Sequence, residues 1–155
     1  MSDNIFEKFN AMFDVEGLKE DISKAEESSG EFVEVPKGDY EVKIVKLELG
    51  ETSERAKTPH APMAKVWFEI VSGDYKGQKI FMNQMLTSGL GIHMMNEFLN
   101  DLLDGGNVKF EDFEQYANLF ETVFNEIDGR YEYQLNYGEN RKGYATYTIV
   151  QRFTL

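Results

Sequence analysis

Residues 63–85 read MAKVWFEIVSGDYKGQKIFMNQM, and this stretch decides the fold class. Apolar side chains occupy every second position on both sides of the SGDYKG segment. That period of two is typical of β-strands with one buried face, and the segment between them is typical of a hairpin loop. We therefore predict two antiparallel strands, residues 63–71 and 78–85. Their predicted core-facing side chains are Val66, Phe68, Ile70, Ile80 and Met82.

A strand with a bulge is predicted before this hairpin, after the turn residues PKGD at positions 36–39. Apolar and charged residues alternate from Tyr40 to Ile44, slip by one position at Val45 and alternate again from Leu47. A slip of one residue in an alternating strand is what a β-bulge produces in a sequence.

Two helices and two more strands are predicted after the hairpin. Apolar residues recur every three to four positions in residues 94–103 and 113–127, and glycine follows each pattern. The period of two returns in residues 131–137 and 144–153, on either side of the GENRKG turn. The predicted order is three strands, a helical insert and two strands, which is a mainly β fold with an α insert (α+β).

The domain organisation follows from a change of pattern near residue 31. Residues 1–31 are acidic and contain a short apolar stripe of helical spacing, Val15, Leu18, Ile22 and Ala25. We predict an acidic N-terminal arm with a short helix there, and one β-rich domain over residues 32–155. The start, MSDNIFEKF, is unlike a secretory signal, and no apolar run reaches the roughly 18 residues of a membrane helix. We therefore expect a cytoplasmic protein without a membrane partner.

Composition and motif spacing argue against most kinds of catalytic site. The chain has 155 residues and no cysteine, which excludes disulfides, cysteine-ligated zinc and a cysteine nucleophile. Its two histidines do not form an HExxH motif, and no phosphate loop, EF-hand or nucleophile elbow is present. We expect no catalytic residue, metal or cofactor. A carboxylate-dependent enzyme is the weakest alternative, because nothing marks the helical acids Glu111, Asp112 and Glu114 as a perturbed catalytic pair.

The net charge of −12 argues at first against a nucleic-acid partner. The charge is unevenly distributed, however. Residues 1–35 and 91–130 each have a net charge of −7, whereas residues 36–90 and 131–155 each have +1. Because exposed charges are screened beyond about 8 Å at physiological salt, a basic sheet face can coexist with acidic helices elsewhere.

The strands carry the most informative side chains. On the faces opposite the predicted core lie Lys43, Lys65, Trp67, Lys79 and Phe81. Flat aromatic rings with lysines between them are typical of sequence-tolerant binding to single-stranded DNA. The predicted loops add the basic residues Arg55, Lys57, Lys76, Arg141 and Lys142. The alternative is that the N-terminal arm or a partner chain covers the two aromatic rings.

Several of these stretches resemble a phage-encoded family. They are VPKGDYEVKI at 35–44, LELGE at 47–51, FEIVSGDYKGQKIF at 68–81, GIH at 91–93, NEFL at 96–99, and residues 133–143. Members of that family are similar to single-stranded-DNA-binding proteins encoded beside phage recombination and replication genes. The resemblance covers residues 14–150. It implies an oligonucleotide-binding (OB) fold, a five-stranded partly open barrel that binds through strands two and three and its loops.

The predicted function is therefore non-enzymatic binding of single-stranded DNA in phage DNA replication or recombination, in the cytoplasm of a bacterial host. Phage recombinase or replication proteins are the expected protein partners, and we expect a homo-oligomer. The rival hypothesis is an acidic protein-interaction module of a phage that acts on a host replication or defence protein. A strong salt dependence of DNA affinity would favour the first hypothesis over the second.

Overall fold

Seven elements follow one another in the computed structural model, which describes Gly17 and residues 34–155. They are β1 (Gly38–Glu51), β2 (Pro62–Ile70), β3 (Lys79–Met85), α1 (Gly89–Leu102), α2 (Phe113–Ile127), β4 (Tyr131–Glu139) and β5 (Ala145–Thr154). The predicted order of three strands, helical insert and two strands is confirmed, as is the mainly β, α+β class. The predicted arm over residues 1–31 lies, apart from Gly17, outside the described residues.

The five strands form one antiparallel sheet in the order β3-β2-β1-β4-β5. The central strand, β1, pairs with β2 through most of its length and with β4 through its first residues. Its register shifts between Ile44 and Lys46, so the bulge predicted at Val45 is confirmed. A second shift, between β4 and β5, leaves Val150 without a partner residue and was not predicted. Both bulges increase the local twist of the sheet.

The core lies between the inner face of this sheet and the two helices. Val66, Phe68 and Ile70 are at most 1% exposed, as their alternation predicts. The helices cover this face, α1 against β3 and β5 and α2 against β1. The Tyr133 hydroxyl donates to the Leu102 carbonyl at 2.7 Å, so that β4 is joined to the end of α1 without leaving a buried polar atom unsatisfied.

Side-chain caps fix the start of each helix. The Ser88 hydroxyl accepts from the Gly91 backbone N–H at 3.0 Å, and the Asp112 carboxylate accepts from that of Gln115 at 2.7 Å. Each cap satisfies one of the unpaired N–H groups of a first turn. The two predicted apolar patterns begin at Met94 and Phe113, but these side chains are 52% and 43% exposed and do not belong to the buried helix faces. No helix among the described residues is long and apolar enough to cross a membrane.

Alkaline pH should destabilise the fold through Tyr116. Burial raises the pKa of this tyrosine to about 12, against an ordinary value of 10. The neutral hydroxyl is therefore favoured in the folded chain, so the stabilisation is complete below pH 10 and is lost as the pH rises towards 12. Urea unfolding at several pH values should show this loss, at up to about 1.4 kcal/mol per pH unit for one group. The Tyr116→Phe variant should show a shallower loss; an unchanged slope would contradict the assignment.

Candidate nucleic-acid interface

The outward side of the β1–β2–β3 sheet carries three rows of paired side chains, which we call the outer face. The central row is Lys46, Trp67 and Phe81, one residue from each strand. One flanking row is Lys43, Glu69 and Lys79, and the other is Glu48, Lys65 and Asn83. The structure thus brings together the five strand residues predicted for the site, and it places an aromatic row between two rows that contain lysines.

The two aromatic rings of the central row touch each other. The ring centroids of Trp67 and Phe81 are 5.2 Å apart and the rings are perpendicular, an arrangement that aromatic pairs favour. Phe81 is 37% exposed and Trp67 is partly exposed, so the described residues leave part of this pair open to solvent. The ammonium group of Lys46 lies 4.3 Å from the centroid of the Trp67 ring. The Lys46 ammonium therefore occupies the position over the Trp67 ring where a base could stack.

Two of the four lysines of the outer face form weak ion pairs with carboxylates. Lys43 lies 3.2 Å from Glu69, and Lys46 lies 3.2 Å from Glu48. All of these side chains are between 30% and 50% exposed. Ion pairs this exposed contribute about 0–1 kcal/mol. Exchanging a carboxylate partner for a phosphate therefore costs little, and the four lysines outnumber the two glutamates on the three rows.

Lys46 is the one residue of the central row that was not predicted as a site residue from the sequence. The signal was present, because the slip at Val45 reverses the alternation of β1. With Leu47 turned to the core at 6% exposure, Lys46 must point to the same side as Lys43. The bulge therefore adds a cation to the outer face beside Trp67.

The five predicted loop cations lie in loops and turns between strands, and the strand register does not bring them into the rows of the outer face. Arg55 and Lys57 are exposed in the loop of residues 52–61 at one end of the β1–β2 pair. The buried Thr52 side chain holds this loop, since its hydroxyl donates to the Thr58 carbonyl and accepts from the Ala61 N–H. Lys76 is exposed in the β2–β3 loop at the opposite end.

Arg141 and Lys142 are exposed in the β4–β5 turn, which Asn140 organises. The Asn140 side-chain oxygen accepts from the backbone N–H groups of Lys142 and Tyr144 at 2.9 and 3.0 Å. The same turn presents Tyr144, which is 67% exposed and was not predicted as a site residue. Its position between a basic turn and a strand could have identified it.

Three carboxylates on or beside the helices bear on the enzyme alternative. Asp112 is the cap of α2. Asp101 and Asp104 line a cavity of about 110 Å³ together with Arg152, whereas ligand pockets usually measure about 300–1,000 Å³. Burial, followed by the neighbouring Glu97, raises the pKa of Asp101. Among the described residues, no cluster of three or more His, Asp or Glu side chains could hold a metal ion.

Comparison with known proteins identifies a family but no characterised relative. No curated protein and no solved structure matches the chain. Residues 20–118 match the family described as "Protein of unknown function (DUF669)". The match covers more than half of the 155 residues. The chain therefore belongs to the DUF669 family.

Proposed function

We propose that this protein binds single-stranded DNA through the outer face, without catalysing a reaction. The observation that carries the proposal is the partly exposed Trp67–Phe81 pair, with ring centroids 5.2 Å apart, together with the four lysines on the three rows of the outer face. Stacking on aromatic rings contributes about 1–3 kcal/mol per base and tolerates any sequence, because every base has a π-face. Duplex DNA does not offer its base faces, so this surface favours unpaired strands.

We further infer that the sheet curves into an OB-type barrel that is open between its two edge strands, β3 and β5, and one hydrogen bond supports this inference. The Tyr147 hydroxyl on β5 donates to the Phe81 carbonyl on β3 at 2.8 Å. The two ends of the sheet order therefore approach each other, as in a sheet that curves into a partly open barrel. OB folds bind oligonucleotides on strands two and three, which here carry Trp67 and Phe81.

The spacing of the three rows fits one nucleotide strand. Residues two apart on a β-strand are separated by about 7 Å, so a phosphate can lie over Lys65 or Lys79 while its base stacks on the central row. Phosphates beyond the outer face would then be contacted by the loop cations Arg55, Lys57, Lys76, Arg141 and Lys142. Counterion release from these contacts makes the affinity salt-dependent.

The biological setting rests on the resemblance to phage proteins. From it we infer a role in phage DNA replication or recombination in the bacterial cytoplasm, with recombinase or replication proteins as partners. We also propose a homo-oligomer, because OB-type binders often assemble. One observation favours the rival, an acidic protein-interaction module. On α1, Leu90 is 71% exposed and Met94 is 52% exposed. Met94 lies within the segment of residues 91–130, which has a net charge of −7, and Leu90 directly precedes that segment.

A titration with labelled oligothymidylate tests the proposal. An oligomer of about 30 nucleotides is longer than the 4–16 that one OB fold covers. Fluorescence anisotropy at low and at physiological salt, with duplex as competitor, should show tight, salt-sensitive binding that duplex does not displace. Emission from Trp67, the one tryptophan in the chain, should be quenched at saturation.

The Lys79→Gln variant gives this titration a quantitative test, because Lys79 lies in a flanking row where a phosphate is expected. Each phosphate contact contributes about 0.7 to the slope of log affinity against log salt for single strands, so the variant should reduce that slope by about this amount. Absence of binding by the wild-type protein at low salt would overturn the proposal and favour the protein-interaction module. Equal displacement by duplex and single strand would contradict binding through stacked bases.

A further inference from the structure

We propose that Tyr147 is a positioning residue that holds Phe81 in place for stacking on DNA; this inference rests on the proposed function. The geometry that points to it is the hydrogen bond from the Tyr147 hydroxyl to the Phe81 carbonyl, 2.8 Å long, across the gap between β5 and β3. Tyr147 does not contact DNA in this arrangement. It acts through the backbone of the residue that does.

Phe81 needs such support because β3 is an edge strand. On one side, β3 pairs with β2 over residues 79–85. On the other side, no backbone ladder joins it to β5 within residues 34–155. An edge strand leaves a row of backbone groups without strand partners, and it is held less firmly than a central strand. The Tyr147 hydroxyl supplies a partner for one of these groups, at the residue whose ring faces Trp67.

Tyr147 itself is held by the core. Its ring lies nearly parallel to that of Phe68, 6.2 Å away at 12°, and it stacks on Tyr137 at 5.6 Å. Phe68 is completely buried, so one side of the tyrosine ring is anchored to the hydrophobic core. The hydroxyl therefore has a fixed position from which to hold the Phe81 carbonyl.

The hydroxyl also stays a donor. Burial, and after it the neighbouring Tyr137, raises the pKa of Tyr147 above its ordinary value. The group is therefore protonated throughout the neutral range. A fixed donor that orients Phe81 before DNA arrives lowers the ordering cost of binding, which is how preorganisation increases affinity.

The Tyr147→Phe variant tests the inference, because it removes the hydroxyl and keeps the ring. Because the Phe81 ring is then held less firmly before DNA arrives, affinity for oligothymidylate should fall about twofold, and by tenfold at most, which is the largest effect that one hydrogen bond explains. The near-ultraviolet circular dichroism of Trp67 should change as its partner ring moves. The matched control is Tyr137→Phe, in the same stack of rings, which should change neither quantity.

A double-mutant cycle separates positioning from a general structural role. If Tyr147 acts through Phe81, then Tyr147→Phe should have no further effect on DNA affinity in a Phe81→Ala background. An equal loss in both backgrounds, or an unchanged affinity in the single variant, would overturn the inference. If the wild-type protein does not bind DNA at all, the proposed function is overturned together with this inference. If it binds DNA and Tyr147→Phe binds equally well, only the inference about Tyr147 is overturned.

Discussion

The Phe68→Ala variant should lose about 3–5 kcal/mol in free energy of unfolding, the range for deleting a large buried aromatic side chain. Phe68 is 0% exposed on the inner face of β2. Its ring contacts that of Phe98 on α1 edge-to-face, 6.1 Å between centroids, and lies parallel to that of Tyr147 on β5. The substitution therefore opens a cavity where the sheet, a helix and the far edge strand meet. Urea unfolding followed by far-ultraviolet circular dichroism measures the loss.

Phe81→Ala provides the control for this stability prediction. It removes the same number of atoms from a ring that is 37% exposed, on the neighbouring strand and the opposite side of the sheet. Its cost should be clearly smaller, because much of the ring is already in contact with water and little cavity is left. If the two variants lose the same free energy, Phe68 does not hold the central position that its contacts indicate.

The local order of strands and helices could be predicted because it depends on residues close in sequence. Alternation around Val66 and Phe68 identified β2 and its buried face, and the slip at Val45 identified the bulge. Such patterns record which side of each element faces water. The helix caps Ser88 and Asp112 obey the same short-range rules.

The parts that could not be predicted depend on contacts between distant residues. Nothing local to Met94 shows that neighbouring elements leave it 52% exposed. The pairing of β1 with β4 joins residues nearly a hundred positions apart, as does the Asn136–Asp39 hydrogen bond of 2.9 Å. For the candidate site, alternation alone placed Trp67 and Phe81 on one side, but their direct contact required the register between β2 and β3.

The Trp67→Ala variant should weaken binding of oligothymidylate by about 1–3 kcal/mol, the value of one stacked base. Trp67 lies in the central row of the outer face, between Lys46 and Phe81. Its removal takes away the largest flat surface of the row and also leaves the Lys46 ammonium without the ring it covers at 4.3 Å. Competition anisotropy with a labelled oligomer measures the change, and thermal unfolding confirms that the variant is folded.

Trp67→Phe and Phe113→Ala make the interpretation specific. The first keeps a flat ring and should retain most of the affinity, because stacking needs a π-face and not the indole N–H. The second removes an exposed aromatic ring, 43% accessible, from the acidic helix α2 and should leave the affinity unchanged. Wild-type affinity in folded Trp67→Ala protein would rule out stacking on the outer face. A loss in Phe113→Ala equal to that in Trp67→Ala would move the binding surface to the helices, where repulsion by the acidic side chains makes a DNA ligand unfavourable.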